Sequence, residues 1–351
     1  MTPKTRLLLL ICFLITAFGY SQSIIGKIVD ALTNAPLESV TIYYDGTTIG
    51  AVTNAKGEFS LPSKVTTQAT IVVSYLGYET QYFSQEKLQN TPTISLTEKA
   101  ESLDAVYIEN DDWSREKKMR YFKREFLGRD LAAKDCRILN EEALKLIYLP
   151  SKNLLLASSD VPIQIKNDHL GYKVAYTIVD FEIQFKPSLN GWQLVESVFY
   201  SGTSSFSELN KKTKNKHQKA REIAYEGSVL QFMRALSKEQ LTENNFEIFV
   251  NDSSNGSELH FPVPPYKYLE VSKNDNGWQK FEIKHNKLVV LYNKDLQSAL
   301  IPMDTEHSVF FIDNYGIHSP AEQLFFSGDF GQKRISTMLP LDFLLNIKSK
   351  P

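Results

Sequence analysis

The stretch "VTNAKGEFSL", residues 52–61, places a turn signal between two runs of strand-forming residues. Asn54 can accept a hydrogen bond from the backbone two residues further on, and Gly57 can adopt the positive φ that closes a tight turn. Because side chains alternate along a strand, Phe59 and Leu61 share one face, with polar residues between them on the other. The stretch therefore predicts a hairpin in a β-sheet that has one buried face.

The same alternation extends on both sides of this hairpin, over residues 24–97. Turn signals at "TNAP", "YDGTT" and "YLGYE" separate the alternating runs, and no helical pattern of ten residues interrupts them. Short strands at regular spacing are typical of a β-sandwich rather than a parallel α/β sheet. We therefore predict a compact all-β domain over residues 22–97. The apolar positions that alternate in these runs are Val40, Ile42, Tyr44, Ile71, Val73, Tyr75, Ile94 and Leu96.

Three blocks of this region carry a resemblance to a known family. They are "GKIVDALTNAPLESVTIYYDGTTIGAVTNAKGEFSL", "IVVSYLGYET" and "ISLTEKAESLDAVYI", and they resemble the carboxypeptidase regulatory-like domain. That module is similar to the transthyretin-type sandwich appended to some zinc carboxypeptidases, and it also occurs at the N-termini of TonB-dependent outer-membrane receptors. The resemblance covers about residues 24–108. It implies a seven-stranded, Ig-like or transthyretin-like sandwich in an exported protein of a Gram-negative cell envelope.

Residues 1–21 have the pattern of a signal peptide. Lys4 and Arg6 precede an apolar run over residues 7–18, and small residues follow it. Either Gly19 or Ser21 could be the last residue removed. The run is shorter than the ~20 apolar residues of a spanning helix, although an uncleaved anchor is the alternative. We expect export to the periplasm or the outer membrane, or secretion, with membrane association peripheral at most.

After the sandwich the composition changes twice. Residues 98–112 contain six acids and one lysine, and we predict an acidic linker there. The following stretch, "WSREKKMRYFKREFLG", spaces Met119, Phe122 and Phe126 along one stripe of a helix, and Gly128 is a plausible helix stop.

The rest of the chain, residues 113–351 including that helix, returns to a strand-rich pattern. Long alternating runs such as "YKVAYTIVDFEIQF" indicate strands, and "GSVLQFMRALSKEQL" indicates a second helix. The blocks "FKREFLG", "CRILN", "PIQIKNDHLGYKVAY" and "REIAYEGS" resemble the region that follows this sandwich in a set of uncharacterised exported proteins. We therefore predict a mainly β protein, in which the sandwich precedes a larger β-rich domain with a few helices.

Catalytic and metal motifs are missing from the sequence. A zinc carboxypeptidase uses a His and a Glu three residues apart plus a distant His, and none of the six histidines has Glu three positions later. Asn54 and Glu58 alone are too few oxygen ligands for a calcium loop. Cleavage would leave Cys136 as a lone thiol, which we expect to be a small buried hydrophobe. We expect no catalytic residue, no metal and no cofactor.

One run, "KKTKNKHQKAR", carries six positive side chains and no acid. It is interpreted either as a solvated, mobile loop or as a patch that contacts anions such as lipid head groups or acidic glycans. A net charge of −2 for the whole chain argues against a nucleic-acid partner. The residues of this predicted patch are Lys211, Lys212, Lys214, Lys216, Lys219 and Arg221.

The sequence favours a non-catalytic envelope protein. In this interpretation the sandwich docks through exposed edge strands, and the second domain binds an envelope protein or a polysaccharide. The alternative is a hydrolase or glycan-active enzyme whose site lies in the second domain. A pocket with convergent ionisable groups of shifted pKa would favour the enzyme, and an edge-strand surface would favour the binding protein.

Overall fold

The computed structural model describes residues 23–63, 68–99, 111–187, 193–210, 213–252, 259–273, 278–304 and 308–344. The predicted signal peptide and most of the predicted acidic linker lie outside these ranges. Within them, the buried apolar side chains form three hydrophobic clusters, each packed against its own sheets.

The first cluster lies between two sheets of a β-sandwich. One sheet has the order β4-β1-β7, with β1 antiparallel to β4 and parallel to β7, and the other has the order β3-β2-β5-β6. A short helix, α1 (Gln85–Gln89), precedes the last strand. The seven strands confirm the predicted sandwich. They are β1 (Ser23–Asp30), β2 (Thr41–Tyr44), β3 (Gly50–Val52), β4 (Glu58–Pro62), β5 (Ile71–Ser74), β6 (Gln81–Phe83) and β7 (Thr93–Leu96).

The turn at residues 54–57 has the predicted chemistry but a different role. Asn54 Oδ1 accepts hydrogen bonds from the backbone N–H groups of Lys56 and Glu58, at 2.9 and 3.0 Å, and Gly57 has φ +74°. However, β3 pairs with β2 and β4 pairs with β1. The predicted hairpin is therefore wrong, because this turn carries the chain from one sheet of the sandwich to the other.

The second cluster lies on a six-stranded sheet dominated by one long hairpin. Its strands β12 and β13 pair antiparallel along almost their whole length, and β12 also pairs with β10 and β11. The outer strands β8 and β9 complete the sheet. The bounds are β8 (Cys136–Ile138), β9 (Lys145–Leu149), β10 (Leu154–Ser158), β11 (Ile163–Asn167), β12 (Tyr172–Phe185) and β13 (Val195–Glu208).

Helix α2 (Arg115–Phe126) packs on this sheet, as the sequence predicts. It begins at the N-cap Ser114, whose side chain accepts the Lys117 N–H, and its stripe of Met119, Phe122 and Phe126 is buried. Phe122 and Phe126 both contact the ring of Phe181 on β12. The helix is therefore held by aromatic packing, and a short helix, α3 (Leu131–Lys134), follows it.

The third cluster lies between two further sheets and a helix. One sheet has the order β15-β14-β18-β19-β22 and the other β16-β17-β20-β21. Helix α5 (Val229–Ser237), which the sequence predicts, buries Phe232, Met233 and Leu236 against them. The strands are β14 (Phe246–Asp252), β15 (Leu259–Val263), β16 (Leu269–Lys273), β17 (Gln279–Ile283), β18 (Leu288–Tyr292), β19 (Leu296–Pro302), β20 (Val309–Ile312), β21 (His318–Ser319) and β22 (Leu324–Gly328).

The last described segment, residues 333–344, returns to the second cluster. It follows helix α6 (Asp329–Gln332), and Ile335, Leu339 and Phe343 pack with the buried residues of the second cluster. The buried guanidinium of Arg234 on α5 donates to the carbonyl oxygens of Leu341 and Phe343, at 2.6 and 2.9 Å. The region predicted as one larger domain thus contains two hydrophobic clusters, and the C-terminal segment ties them together.

Candidate functional site

The sandwich is joined to the second cluster through the turn that follows β2. The N–H of Gly46 donates to the Ser204 carbonyl at 2.7 Å, and the N–H of Phe206 donates to the Thr47 carbonyl at 3.0 Å. Thr47 thereby forms a parallel bridge with Ser205 on β13. The turn "YDGTT" is therefore an inter-sheet contact, and we call residues 45–48 with residues 203–206 the junction.

The C-terminal segment closes the junction from the other side. The carboxylate of Asp342 accepts hydrogen bonds from both the backbone N–H and the hydroxyl of Thr48, and the N–H of Leu341 donates to the Gly46 carbonyl at 2.7 Å. Thr48 and Asp342, which are 294 residues apart in the sequence, thus meet at one turn. The turn at residues 45–48 therefore fixes the sandwich to the rest of the chain.

The carboxylate of Asp45, which lies in the junction, has a raised pKa. Asp45 Oδ1 accepts the Ser204 N–H at 2.7 Å. Burial raises the pKa of Asp45 to about 6, although the backbone N–H groups of Ser204 and Gly46 oppose that rise. The junction therefore contains a group that titrates at mildly acidic pH.

Most of the described part of the basic run is helical, whereas one of the two interpretations of its sequence was a mobile loop. Helix α4 (Asn215–Tyr225) begins directly after Lys214. Lys214, Lys216 and Lys219 are exposed, whereas Lys211 and Lys212 lie outside the described residues.

Arg221 does not belong to the exposed part of this run. It is 4% exposed, and its guanidinium pairs with both carboxylate oxygens of Glu208, at 2.8 and 2.9 Å. It also donates to the Leu170 carbonyl at 2.7 Å and lies over the ring of Tyr172 at 3.7 Å. Helical spacing places Arg221 on the same buried face as His217, so Arg221 stabilises the fold and is unavailable to an external anion.

Between the second and third clusters lies a cleft with two adjoining cavities. The larger cavity, of about 660 Å³, has many charged side chains, and we call it the charged cavity. The smaller cavity, of about 330 Å³, has mostly aliphatic and aromatic walls, and we call it the apolar cavity. The two cavities share four lining residues: Ala224, Lys333, Arg334 and Thr337.

Two ionisable groups of the apolar cavity have shifted proton affinities. Burial lowers the pKa of His318 to about 4, so its imidazole is neutral at pH 7. Burial also lowers the pKa of Lys333, whose Nζ donates to the Glu226 carbonyl at 2.8 Å. Sequence reasoning did not single out either residue, because neither stands in a motif and their neighbours in the cleft come from distant segments.

Other chemistry in the described ranges is limited. These ranges contain no group of three or more His, Cys, Asp or Glu side chains that could hold a metal ion. Cys136 is buried, as expected, and burial raises the pKa of its thiol to about 12. Among the helices of the described residues, none combines the length and the apolar character needed to cross a membrane.

Comparison with known families identifies the first part of the chain. Residues 24–108 match the family model of the CarboxypepD_reg-like domain, which confirms the resemblance inferred from the sequence blocks. Domains of this family are typical of exported or envelope proteins. No curated protein matches the chain.

Proposed function

From the CarboxypepD_reg-like domain at residues 24–108, we propose that this chain is an exported cell-envelope protein that acts by binding. In this role the sandwich presents a docking surface to an envelope partner, and the remainder of the chain binds a ligand. The signal-peptide pattern of residues 1–21 supports export.

The observation that carries the proposal is the asymmetry of the sandwich. The junction anchors it through the turn after β2, whereas within the described residues β3, β4, β6 and β7 each have a single neighbour in their sheets. Val52 on edge strand β3 is 60% exposed, and Ile25, in the part of β1 that β7 does not pair with, is 72% exposed. An open edge strand can accept an extended segment of another chain through backbone hydrogen bonds.

A charge substitution at the edge tests this role. Val52→Lys places a charge on edge strand β3, and charged edges disfavour strand addition. Leu32→Lys is the matched control, because Leu32 is 90% exposed but lies in the turn after β1. We expect the wild type and Leu32→Lys to capture a partner from envelope extracts, and Val52→Lys to lose it. Equal capture by both variants would rule out docking at the β3 edge.

The exposed lysines in and just before α4 supply a second contact in this proposal. Lys214, Lys216 and Lys219 would attract acidic glycans or anionic head groups. Such binding should weaken steeply as salt is added, because exposed charges are screened. Binding that is insensitive to salt, or that survives replacement of all three lysines by glutamine, would remove these residues from the proposal.

The alternative function is a hydrolase or glycan-active enzyme. His318 and Lys333 favour it, because both have a lowered pKa and both line the apolar cavity. A panel of glycan and ester substrates distinguishes the two functions. Turnover that is lost in His318→Gln or Lys333→Gln, together with no captured partner, would make the enzyme the better assignment.

A further inference from the structure

The apolar cavity has the size and walls of a small-molecule site. Its volume of about 330 Å³ lies at the lower end of the range for ligand pockets, about 300–1,000 Å³. It lies where the second and third clusters meet, and such interfaces are a preferred location for ligands. The side chains that make its walls apolar are Leu230, Ile317, Phe330, Met338, Leu339 and Leu341.

The end of the apolar cavity that adjoins the charged cavity is cationic. Arg334 lines both cavities, and its guanidinium lies 5.7 Å from the ring centroid of Tyr200. None of the ion pairs within the described part of the chain includes Arg334 or Lys333. Lys333 is held by backbone carbonyls instead. Arg334, which lines both cavities, therefore has guanidinium donors left for an incoming anion.

Three acids line the charged cavity: Glu125, Asp130 and Asp329. Glu125 accepts hydrogen bonds from Arg124 and Arg129, at 2.7 Å each. Asp130 caps α3 by accepting the Ala133 N–H at 2.8 Å, and it also accepts the hydroxyl of Ser336. Asp329, together with Asp130 and Glu226, acts electrostatically on Lys333. These acids therefore offset the charge of Lys333, whereas Arg334 borders the apolar cavity without an ion pair among the described residues.

We propose that the cleft binds a single-chain amphiphile with one anionic head group, with the acyl chain in the apolar cavity and the head group at Arg334. The charge complementarity of Arg334 and the adjoining apolar walls carry this assignment. A polysaccharide fits these walls poorly, because its buried hydroxyl groups would lack hydrogen-bond partners. The ligand class deepens the binding role proposed above and rests on it.

Calorimetric titration of the purified exported chain with decanoate, below its micelle concentration, tests the proposal. Decanol and decylammonium are the neutral and cationic counterparts, and we expect decanoate to bind more tightly than either. Removing two methylene groups, as in octanoate, should weaken binding by about tenfold, since each buried methylene contributes about 0.8 kcal/mol.

Two variants locate the ligand. Arg334→Gln should weaken decanoate by about tenfold or more and leave decanol unchanged, because it removes a charged hydrogen bond. Met338→Trp should weaken both ligands by filling the apolar cavity. Arg137→Gln is the control, since Arg137 is exposed, pairs with Asp168 and lines neither cavity.

Specific results would overturn the assignment. These are no binding of decanoate, equal binding of decanol and decanoate, or an Arg334→Gln variant that binds like the wild type. Failure here is distinguishable from failure of the proposed function. Partner capture through Val52 is measured without decanoate, and turnover of a decanoyl ester would refute the binding role while retaining the ligand class.

Discussion

The carboxylate of Asp45 accepts a 2.7 Å hydrogen bond from the backbone N–H of Ser204, which lies 159 residues further along the chain. This bond joins the sandwich to the long hairpin of the second cluster. Because the junction buries Asp45, its charged form is disfavoured in the folded protein. The stability of the folded protein should therefore depend on the protonation state of Asp45.

We expect the stability of the junction to depend on pH through Asp45. Its pKa of about 6 in the folded state exceeds the ordinary aspartate pKa of 3.8, so the folded state binds more protons than the unfolded state between these pH values. As pH rises from about 4 to above 6, the free energy of unfolding of the wild type should fall by about 2 kcal/mol relative to that of Asp45→Asn. At higher pH the difference between the two unfolding free energies should stay constant. Urea unfolding of both proteins across this range measures it. The assignment would be contradicted if the stability of the wild type relative to Asp45→Asn did not change with pH, or if it increased as pH rises.

Arg221 should matter for stability although it lies in a run of exposed cations. Arg221→Gln breaks the pair with Glu208 and removes the donor to the Leu170 carbonyl. We expect a loss of about 2–4 kcal/mol in the free energy of unfolding. Lys219→Gln, an exposed change on the same helix, should stay within about 0.5 kcal/mol of the wild type. Equal midpoints of urea unfolding for the two variants would show that Arg221 is not anchored.

The turn at residues 54–57 should tolerate no side chain at Gly57. A Cβ there would lie 2.4 Å from the Ile28 carbonyl oxygen, and φ is +74°. We expect Gly57→Ala to cost about 3 kcal/mol, from the left-handed conformation and the clash together. Gly77→Ala is the matched control, because φ is +84° and nothing lies within 4 Å of the added Cβ.

Gly77→Ala should therefore lower the free energy of unfolding by only about 1–2 kcal/mol, because the left-handed conformation is disfavoured for alanine but no clash is added. Thermal or urea unfolding of the two variants separates the contribution of the left-handed conformation from that of the clash with Ile28. The same loss in both would mean that the approach of Ile28 to the turn is unimportant.

Cys136 should react slowly with alkylating reagents while the protein is folded. Burial raises the pKa of its thiol from 9.0 to about 12, which lowers the thiolate fraction about a thousandfold at neutral pH. Iodoacetamide labelling, followed by peptide mass analysis at Cys136, should be slow in buffer and fast in urea. Rapid labelling of the folded chain would be incompatible with the buried position of Cys136.

The local elements were largely predictable from the sequence. Alternation at Val40, Ile42 and Tyr44 identified a strand face that is buried in the structure, and the stripe of Met119, Phe122 and Phe126 identified the buried face of α2. Both patterns succeed because the geometry of a strand or a helix determines which side chains share a face. The turn chemistry of Asn54 and Gly57 was predictable for the same local reason.

Partners that are distant in the sequence were not predictable. The pairing of β4 with β1 rather than β3 depends on the register of strands more than 25 residues apart. The burial of Arg221 depends on Glu208 and Tyr172, and a run of cations has the same composition whether one face is covered or not. The apolar cavity combines residues 200 to 341, and none of its segments carries a motif.

The sequence by itself determined the strands of a disulfide-free sandwich, its turn residues and the helices that follow, because periodicity and turn preference act over a few neighbouring residues. The tertiary structure alone decided that the turn at residues 45–48 attaches the sandwich to β13, that Arg221 is buried, and that Arg334 borders an apolar cavity. These features arise from contacts between segments that come together only when the whole chain packs, and packing determines which charges are desolvated.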